Sequence, residues 1–307
     1  MAAHPEKANF ETIYHYINDL YTATDPNFVR IPTYAIPDYP ELSHELCGKA
    51  LYYILNGVLD IMKKVWASYY WCNGNRPNLE HIFDSFFNSL KERGILDVFT
   101  LNYDILLDEF LKDANDGFVD SGIENAPMIF DPQEAVKRDK GLYNHVHGSV
   151  RFSKTYHHEL LKYKGPFFKY DSPKWEELFP ERSLSQSGEM IIPSPIITGM
   201  YKLENMQHEP FRTYHANLIH SINLNNVCIV IGYGFGDNYI NAIIHSFLRR
   251  NNTKLIVITW EGMPGFLKKI CEDEGVQNKI LLLEKGFMAV ASNPDDVGKI
   301  CDFIQNT

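Results

Sequence analysis

The chain has 307 residues, of which 45% are hydrophobic and 22% are charged. This is ordinary globular composition, and the length fits one large α/β domain or a core domain with a helical insertion. The formal net charge is −10 and no segment is rich in lysine or arginine, which disfavours nucleic acid as a direct ligand. No apolar stretch approaches the ~20 residues of a membrane span, and Met1–Phe10 lacks the apolar core of a secretory signal. We therefore expect a cytoplasmic protein.

The cysteines are isolated from one another and form no CxxC pair. They are Cys47, Cys72, Cys228, Cys271 and Cys301. A structural zinc site draws its ligands in close pairs, so this spacing argues against one. Without a signal peptide the thiols are expected to be reduced, and we interpret them as small apolar residues of the core.

The first 94 residues form a predicted helical subregion. Apolar residues recur at helical spacing over Asn9–Tyr21, and His44–Tyr70 has a similar pattern. A Pro-rich, aromatic stretch, Thr24–Tyr39, separates them and is predicted to be a loop. A further helix begins at Pro77 and runs to Arg93, with Gly94 as its C-cap. These aromatic-rich helices are our candidate surface for homo-oligomerisation.

In residues 95–307, predicted strands alternate with predicted helices. This alternation is typical of a Rossmann-like α/β core, with a parallel sheet and helices on both faces. Asn226–Tyr233 is the clearest strand, because its unbroken apolar run into Gly232 is typical of a parallel strand buried on both faces. The other predicted strands are Ile95–Thr100, Leu142–Val146, Lys254–Thr259 and Lys279–Leu283. The predicted helices are Ile105–Leu111, Asp237–Arg250, Pro264–Glu274 and Pro294–Ile304.

The stretch from Arg151 to Asn205 is rich in Tyr, Phe, Ser, Pro and Lys and has weak periodicity. We interpret it as a loop-rich insertion over the carboxyl ends of the strands, where a doubly wound sheet binds its ligand.

Polar residues follow the first core strand in the order Thr100, Leu101, Asn102, Tyr103, Asp104. The Asn102 amide could orient a water or a ribose hydroxyl, and the Asp104 carboxylate could lie beside the bond that is cleaved. The alternative is structural, because Asn and Asp are common N-caps and Asp104 could simply cap the following helix.

A second cluster, His145-Val146-His147-Gly148-Ser149, ends the next strand. His145 and His147 could share a face of the strand, but a metal site needs more ligands, and His157-His158 lie in a poorly patterned region. We therefore expect no metal. His147 beside the flexible Gly148 is better suited to act as a single general base, with a buried structural histidine as the alternative.

The third cluster follows the strand Asn226–Tyr233. Its residues are Gly232, Tyr233, Gly234, Phe235, Gly236, Asp237 and Asn238. Glycines between a buried strand and a helix let the backbone approach a phosphate or ribose, with amides of the helix start facing it. The pattern differs from the GxGxxG fingerprint, so its position in the fold carries the prediction.

Together, the segments Thr100–Asp104, Val146–Ser149 and Ile231–Asn241 resemble the sirtuin-like NAD hydrolase domains of bacterial anti-phage defence systems. The resemblance covers the chain from about Phe10 to its C-terminus. It implies Asn102 and His147 as the catalytic pair, with Asp104 holding the nicotinamide amide. It also implies NAD as the substrate, held by a set of binding residues. These are Thr100, Tyr103, Gly148, Gly232, Tyr233, Gly234, Gly236 and Asp237.

One feature of that family is not visible before Asn102, namely a first strand ending in a Gly-Ala-Gly-type loop around the NAD pyrophosphate. Gly48, Gly57 and Gly74 are isolated, and the sequence reads as though that strand had been removed. Two alternatives to hydrolysis therefore stay open: a non-catalytic NAD or ADP-ribose sensor, and a lysine deacylase. The resemblance further suggests a HerA-like ring ATPase or an Argonaute-type protein as partner.

Overall fold

The computed structural model describes residues 76–103, 107–120, 122, 127–149, 151–154, 160–162, 192–193 and 206–305. The predicted helices over Asn9–Tyr21 and His44–Tyr70, the loop between them and the candidate oligomer surface lie outside these residues. Within them, no helix is both long and apolar enough to cross a membrane. The predicted boundary between residues 94 and 95 stays a prediction.

Helices and strands alternate through most of the described chain. The helices are α1 (Arg76–Lys91), α2 (Phe211–Leu224), α3 (Asn238–Arg249), α4 (Gly265–Glu274), α5 (Phe287–Ala291) and α6 (Pro294–Gln305). The strands are β1 (Val98–Thr100), β2 (Phe118–Val119), β3 (Met128–Phe130), β4 (Tyr143–His145), β5 (Phe152–Lys154), β6 (Leu160–Lys162), β7 (Ile192–Pro193), β8 (Val227–Ile231), β9 (Lys254–Thr259) and β10 (Ile280–Glu284).

Two parallel ladders form the Rossmann-like part of the fold. β1 pairs with β4, and β9 lies between β8 and β10. β9 is the middle strand of its ladder, and its four residues from Leu255 to Ile258 are buried on both faces. This explains its continuous apolar sequence. The predicted strand–helix alternation and the parallel pairing are confirmed.

Helices cover both faces of the parallel strands, as predicted. One apolar core joins α2, α3 and α4 to one face through residues such as Leu218, Ile244 and Leu267. The other joins α1, α5 and α6 to the opposite face, with Phe86 and Ile300 among its members.

A second sheet, which the sequence analysis did not predict, is antiparallel and has the order β2-β3-β6-β5-β7. Three of its strands lie within the stretch from Arg151 to Asn205, at the described residues 152–154, 160–162 and 192–193. The interpretation of this stretch as a loop-rich insertion stays a prediction. Strands of two or three residues are too short to show alternating polarity, which is why the pattern missed them.

Three further elements differ from prediction. The described part of the predicted helix Ile105–Leu111 contains only a single 3₁₀ turn, Leu107–Glu109. The short helix α5 was not predicted. β8 was expected to be buried on both faces, yet it is the edge strand of its ladder and Ile231 is 39% exposed.

Candidate functional site

The pairing of β1 with β4 brings two of the predicted catalytic residues to one edge. Thr100 is in register with His145 at the carboxyl ends of these strands. Asn102 and His147 each follow two residues later, so both lie at the same edge of the sheet. The carbonyl oxygen of Asn102 also lies 3.4 Å from His145 Nδ1, which ties the two turns together.

The turn after β1 presents the Asn102 side chain to solvent. The Thr100 hydroxyl accepts a hydrogen bond from the Asn102 backbone N–H at 3.1 Å, a local bond that holds the chain in a turn directly after the strand. Asn102 is exposed, whereas Thr100 is buried and Tyr103 is half-buried. Asp104 lies outside the described residues.

The second turn places His147 against an acidic residue of another ladder. His147 Nε2 lies 3.3 Å from Asp237 Oδ2, and both side chains are largely buried, with exposed fractions of 9% and 10%. Gly148, directly after the histidine, has φ of +96°, a conformation that favours glycine. The buried contact joins the carboxyl end of β4 to the turn after β8.

Asp237 makes structural hydrogen bonds through both its side chain and its backbone. Its Oδ1 accepts hydrogen bonds from the backbone N–H groups of Tyr239 and Ile240, at 2.9 and 3.3 Å, and so caps the amino end of α3. The Tyr233 hydroxyl accepts from the Asp237 backbone N–H at 3.1 Å. Burial raises the pKa of Tyr233 to about 12, so this phenol stays protonated at neutral pH. The carboxylate that faces His147 is therefore held in place.

The glycine turn after β8 is open on its outer side. Gly232 has φ of +63°, so its backbone conformation alone favours glycine. Gly234 and Gly236 do not adopt positive φ, and a Cβ built at either would have no described atom within 4 Å. Neither backbone conformation nor packing within the described chain requires glycine there. Close approach of a ligand to the backbone would require it.

His145 is a structural residue, in contrast to His147. It is almost fully buried, and its Nε2 lies 3.0 Å from Asp108 Oδ1. Its ring packs edge-on against Phe152 at a centroid distance of 5.7 Å. The two histidines thus contact different carboxylates, Asp108 and Asp237, rather than a common ligand.

Asp108 anchors a buried group of charges beneath the candidate site. Its oxygens accept hydrogen bonds from the Tyr143 hydroxyl at 2.8 Å and from Arg151 Nη1 at 2.6 Å, in addition to the His145 contact. Burial by itself would raise the pKa of the Asp108 carboxyl, but the Lys162 ammonium, His145 and Arg151 together hold this pKa well below its usual range. The carboxylate therefore remains ionised in the folded protein.

The described residues offer no cluster of three or more His, Cys, Asp or Glu side chains suited to hold a metal ion. Cys228, Cys271 and Cys301 are free thiols at buried or half-buried positions, and burial raises the pKa of Cys228 to about 12. Such a thiol is neutral at physiological pH and packs as an apolar group, as expected from the sequence. Cys47 and Cys72 lie outside the described residues.

Sequence reasoning missed two features of this site. Asp237 was assigned only to the glycine turn, whereas its carboxylate also contacts His147. Asp108 was not singled out at all, because burial of this one carboxylate depends on Tyr143, Arg151 and Lys162, which lie far along the chain. No local motif marks either contact.

Comparison with known proteins agrees with this architecture. A search of curated proteins found no match. A family model described as SIR2-like domain matches residues 97–279, which is more than half of the chain and includes Asn102, His147 and the glycine turn. The chain therefore belongs to the SIR2-like domain family, whose members are NAD-dependent enzymes.

Proposed function

We propose that this protein is an NAD glycohydrolase that cleaves the nicotinamide–ribose bond and releases nicotinamide and ADP-ribose. The observation that carries the proposal is that three groups with different chemistry follow the carboxyl ends of β1, β4 and β8, where the His147–Asp237 contact joins the two parallel ladders. An exposed amide, Asn102, lies on the turn after β1. An imidazole paired with a carboxylate, His147 with Asp237, follows β4. The open glycine turn follows β8.

The glycine turn suits the phosphate and ribose portion of a dinucleotide. Backbone N–H groups of residues 233–236 offer donors to an anion, and the positive dipole end of α3 lies next to them in the chain. The open space at the Cβ positions of Gly234 and Gly236 would let the ligand approach the backbone. Thr100, Tyr103, Gly148 and Tyr233 complete the proposed binding set.

In the proposed reaction, the bond between ribose C1′ and the pyridinium nitrogen breaks, and the electron pair of that bond leaves with nicotinamide as a neutral molecule. The ribose gains oxocarbenium character, as in glycoside hydrolysis. A water oxygen forms the new bond to C1′, and the water gives up one proton. The products are ADP-ribose, nicotinamide and that proton.

His147 accepts the proton in this scheme. If Nε2–H donates to the Asp237 carboxylate, Nδ1 keeps its lone pair and is the basic nitrogen, while Asp237 stabilises the imidazolium that forms. Asn102 positions the water and the ribose hydroxyls. Asp104, which lies outside the described residues, holds the nicotinamide amide and stabilises positive charge.

One observation favours the alternative of nucleotide binding without cleavage. Within the described chain, the cleft that Asn102 and Gly232 line has no loop of the Gly-Ala-Gly type beside it. A deacylase is the third candidate, and its nicotinamide release would depend on an acylated peptide.

Two measurements on the same preparation separate the candidates. Chromatography of NAD incubated with the protein, with and without an acetyl-lysine peptide, reports nicotinamide release, and calorimetry with ADP-ribose reports binding. The proposal predicts nicotinamide release from NAD alone. Binding of ADP-ribose with no release would identify a sensor, and release that requires the peptide would identify a deacylase.

The resemblance described above supports a wider role, which we include in the proposal. NAD depletion would act in anti-phage defence, and a homo-oligomer or a partner such as a HerA-like ATPase or an Argonaute-type protein would restrain the activity until infection. Elution of the protein as a strict monomer at micromolar concentration would contradict the homo-oligomer.

A further inference from the structure

The glycine turn after β8 is attached to the protein from its inner side. Its outer side is open at Gly234 and Gly236, where a built Cβ has no described atom within 4 Å. Between these glycines, Phe235 is buried and belongs to the apolar core that also contains residues of α3. Its ring centroid lies 4.7 Å from that of Tyr233 and 5.8 Å from that of Phe266. The inner contacts of Phe235 therefore hold the shape of the turn.

Phe235 has a backbone conformation that its side chain disfavours. Its φ is +55°, in the left-handed region, where the Cβ of a non-glycine residue crowds the backbone. Among the described residues, the only other non-glycine residue with positive φ is Asn252, and asparagine tolerates this region better than phenylalanine does. Such a conformation persists only where the surroundings impose it. The contacts of Phe235 therefore identify the groups that shape the turn.

One of these contacts comes from the side-chain amide of Asn241, near the start of α3. Asn241 is only 5% exposed, and its Nδ2 donates a hydrogen bond to the carbonyl oxygen of Phe235 at 2.9 Å. A carbonyl oxygen accepts but cannot donate, so the amide must turn its nitrogen toward Phe235 and its oxygen away from it. The orientation of the buried amide is thus fixed by the strained residue of the turn.

The amide oxygen of Asn241 is linked to Asp237 through a phenol. The Tyr233 hydroxyl lies 2.9 Å from Asn241 Oδ1 and accepts from the Asp237 backbone N–H at 3.1 Å. The hydroxyl also lies 2.9 Å from the Asp237 carbonyl oxygen, but that oxygen already accepts from the Asn241 backbone N–H. The single hydroxyl proton is therefore available to Asn241 Oδ1. Donors and acceptors then run in one direction, from Asp237 through Tyr233 to the amide.

Asn241 thus joins two parts of the candidate site. Its nitrogen holds Phe235, the left-handed residue of the glycine turn. Its oxygen holds, through the phenol, the backbone of Asp237, whose Oδ2 lies 3.3 Å from His147 Nε2. Because Asn241 is buried, it supports these groups from within the protein and does not form the surface of the site.

We propose that Asn241 is a positioning residue, whose single buried amide fixes both the glycine turn and the Asp237 carboxylate that contacts His147. The two parts of the site then depend on the same support, and a change at Asn241 disturbs both. The consequence for catalysis rests on the proposed function, whereas the link between the turn and His147 does not.

The alternative is that Asn241 only stabilises the fold, and Asn217 provides a matched comparison. Asn217 is 6% exposed, lies in α2 and donates from Nδ2 to the Ala135 carbonyl at 2.8 Å and to Asn144 Oδ1 at 3.0 Å. Loss of either amide leaves buried polar groups without a partner and lowers stability by the same mechanism. Only the loss of the Asn241 amide should change the candidate site.

The first test uses the full chain without nucleotide and compares Asn241→Leu with Asn217→Leu by NMR. We expect Asn241→Leu to speed hydrogen exchange of the Asp237 amide by about tenfold or more and to displace the His147 Cε1–H resonance. Asn217→Leu should change neither. If Asn241→Leu does not fold, Tyr233→Phe removes only the hydroxyl and keeps the ring, and it should produce the same two changes.

Two results would overturn the proposal. One is an unchanged Asp237 amide or an unchanged His147 resonance in the folded variant. The other is an equal change in Asn217→Leu, which would mean that any lost buried amide loosens the site. Because no nucleotide is present, neither result depends on whether NAD is cleaved.

The second test is a double-mutant cycle with Asp237→Asn. If Asn241 acts on the reaction through Asp237, Asn241→Leu should lower kcat for nicotinamide release about tenfold in the native background. In the Asp237→Asn background the further loss should be less than about twofold. Affinity for ADP-ribose, measured by calorimetry, should fall about tenfold in both backgrounds, because the bond to Phe235 is lost in each.

Equal losses of kcat in the two backgrounds would contradict an action through Asp237, and unchanged ADP-ribose affinity would contradict the support of the glycine turn. If the native chain releases no nicotinamide, the proposed function fails. The exchange, resonance and affinity measurements then decide the role of Asn241 by themselves.

Discussion

His147 Nε2 lies 3.3 Å from Asp237 Oδ2, although the two residues follow strands of different ladders. The contact is largely buried, and the other oxygen of Asp237 caps helix α3. The helix start thus fixes the carboxylate, and the carboxylate in turn orients the imidazole. In the proposed reaction, this pair would link binding at the glycine turn to proton transfer.

Replacing the carboxylate by an amide should separate the two roles of Asp237. Asparagine is as good an N-cap as aspartate, so Asp237→Asn should change the free energy of unfolding by less than about 1 kcal/mol. The variant cannot stabilise an imidazolium at His147, and we expect its kcat for nicotinamide release to fall about 10²-fold. Steady-state kinetics and urea unfolding measure the two effects.

Asp295→Asn is a matched control for this substitution, because Asp295 lies exposed in the first turn of α6, far along the chain from the site. It should leave kcat unchanged. Unaltered kcat in Asp237→Asn would show that the His147 contact is not used in the reaction.

The two neighbouring histidines should respond differently to substitution. His145→Ala removes a buried bond to Asp108 and the ring contact with Phe152, so it should lower the free energy of unfolding by about 2–4 kcal/mol. His147→Ala removes one largely buried contact, with Asp237, and no ring packing that matches the one with Phe152, so it should cost less, about 1–2 kcal/mol. Urea unfolding measures both, and equal losses in the two variants would refute the distinction between a structural and a chemical histidine.

Asp108 should make part of the free energy of unfolding sensitive to acid. Its pKa is depressed in the folded state, so the stabilisation is present above the unfolded pKa of about 3.9 and is lost as pH falls below it. Asp108→Asn should cost about 3–5 kcal/mol at neutral pH, because buried cations lose their partner. It should also flatten the decline of stability below about pH 5.

Urea unfolding of both proteins between neutral and acid pH measures this effect, with the exposed Asp113→Asn variant as control. An Asp108→Asn protein whose stability falls with acid as steeply as that of the native chain would contradict the role of Asp108.

The glycine turn offers a test of nucleotide binding that does not depend on catalysis. Gly234→Ala meets no described atom within 4 Å and has no positive φ, so the variant should fold with unchanged stability. We expect its affinity for ADP-ribose to fall at least about tenfold, because the methyl group would occupy the space that the ligand needs. Calorimetry measures the affinity.

Gly298→Ala is the matched control, since Gly298 lies in α6 and also has open space at its Cβ. It should bind ADP-ribose normally and gain about 0.5–1 kcal/mol of stability as alanine in a helix. Full affinity in Gly234→Ala would remove the glycine turn from the proposed site.

Strong local patterns made much of the core predictable. The apolar run of β9 was predicted with its observed bounds, Lys254–Thr259, because a strand buried on both faces needs no alternation. Asp237 was predicted at the start of α3, where its carboxylate indeed caps the helix. The sequence analysis placed Asn102 and His147 just after the ends of two strands, and the parallel pairing of β1 with β4 brings both to the same edge.

The features that were missed depend on contacts between distant segments. β2 and β7 have two residues each, which is too short to show a period. The burial of Asp108 requires Arg151 and Lys162, neither of which lies near it in sequence. The apolar run of β8 was interpreted as a parallel strand buried on both faces, and only the sheet order shows that, among the described residues, β8 pairs with a strand on one side alone.

The most direct test of the account is nicotinamide release from NAD, with no peptide present, by the native chain and by the Asn102→Ala and His147→Ala variants. We predict release by the native protein and a loss of about 10²-fold or more in each variant, with urea unfolding showing that all three are folded. Equal release by the native chain and both folded variants would contradict the assignment of this sheet edge as the active site.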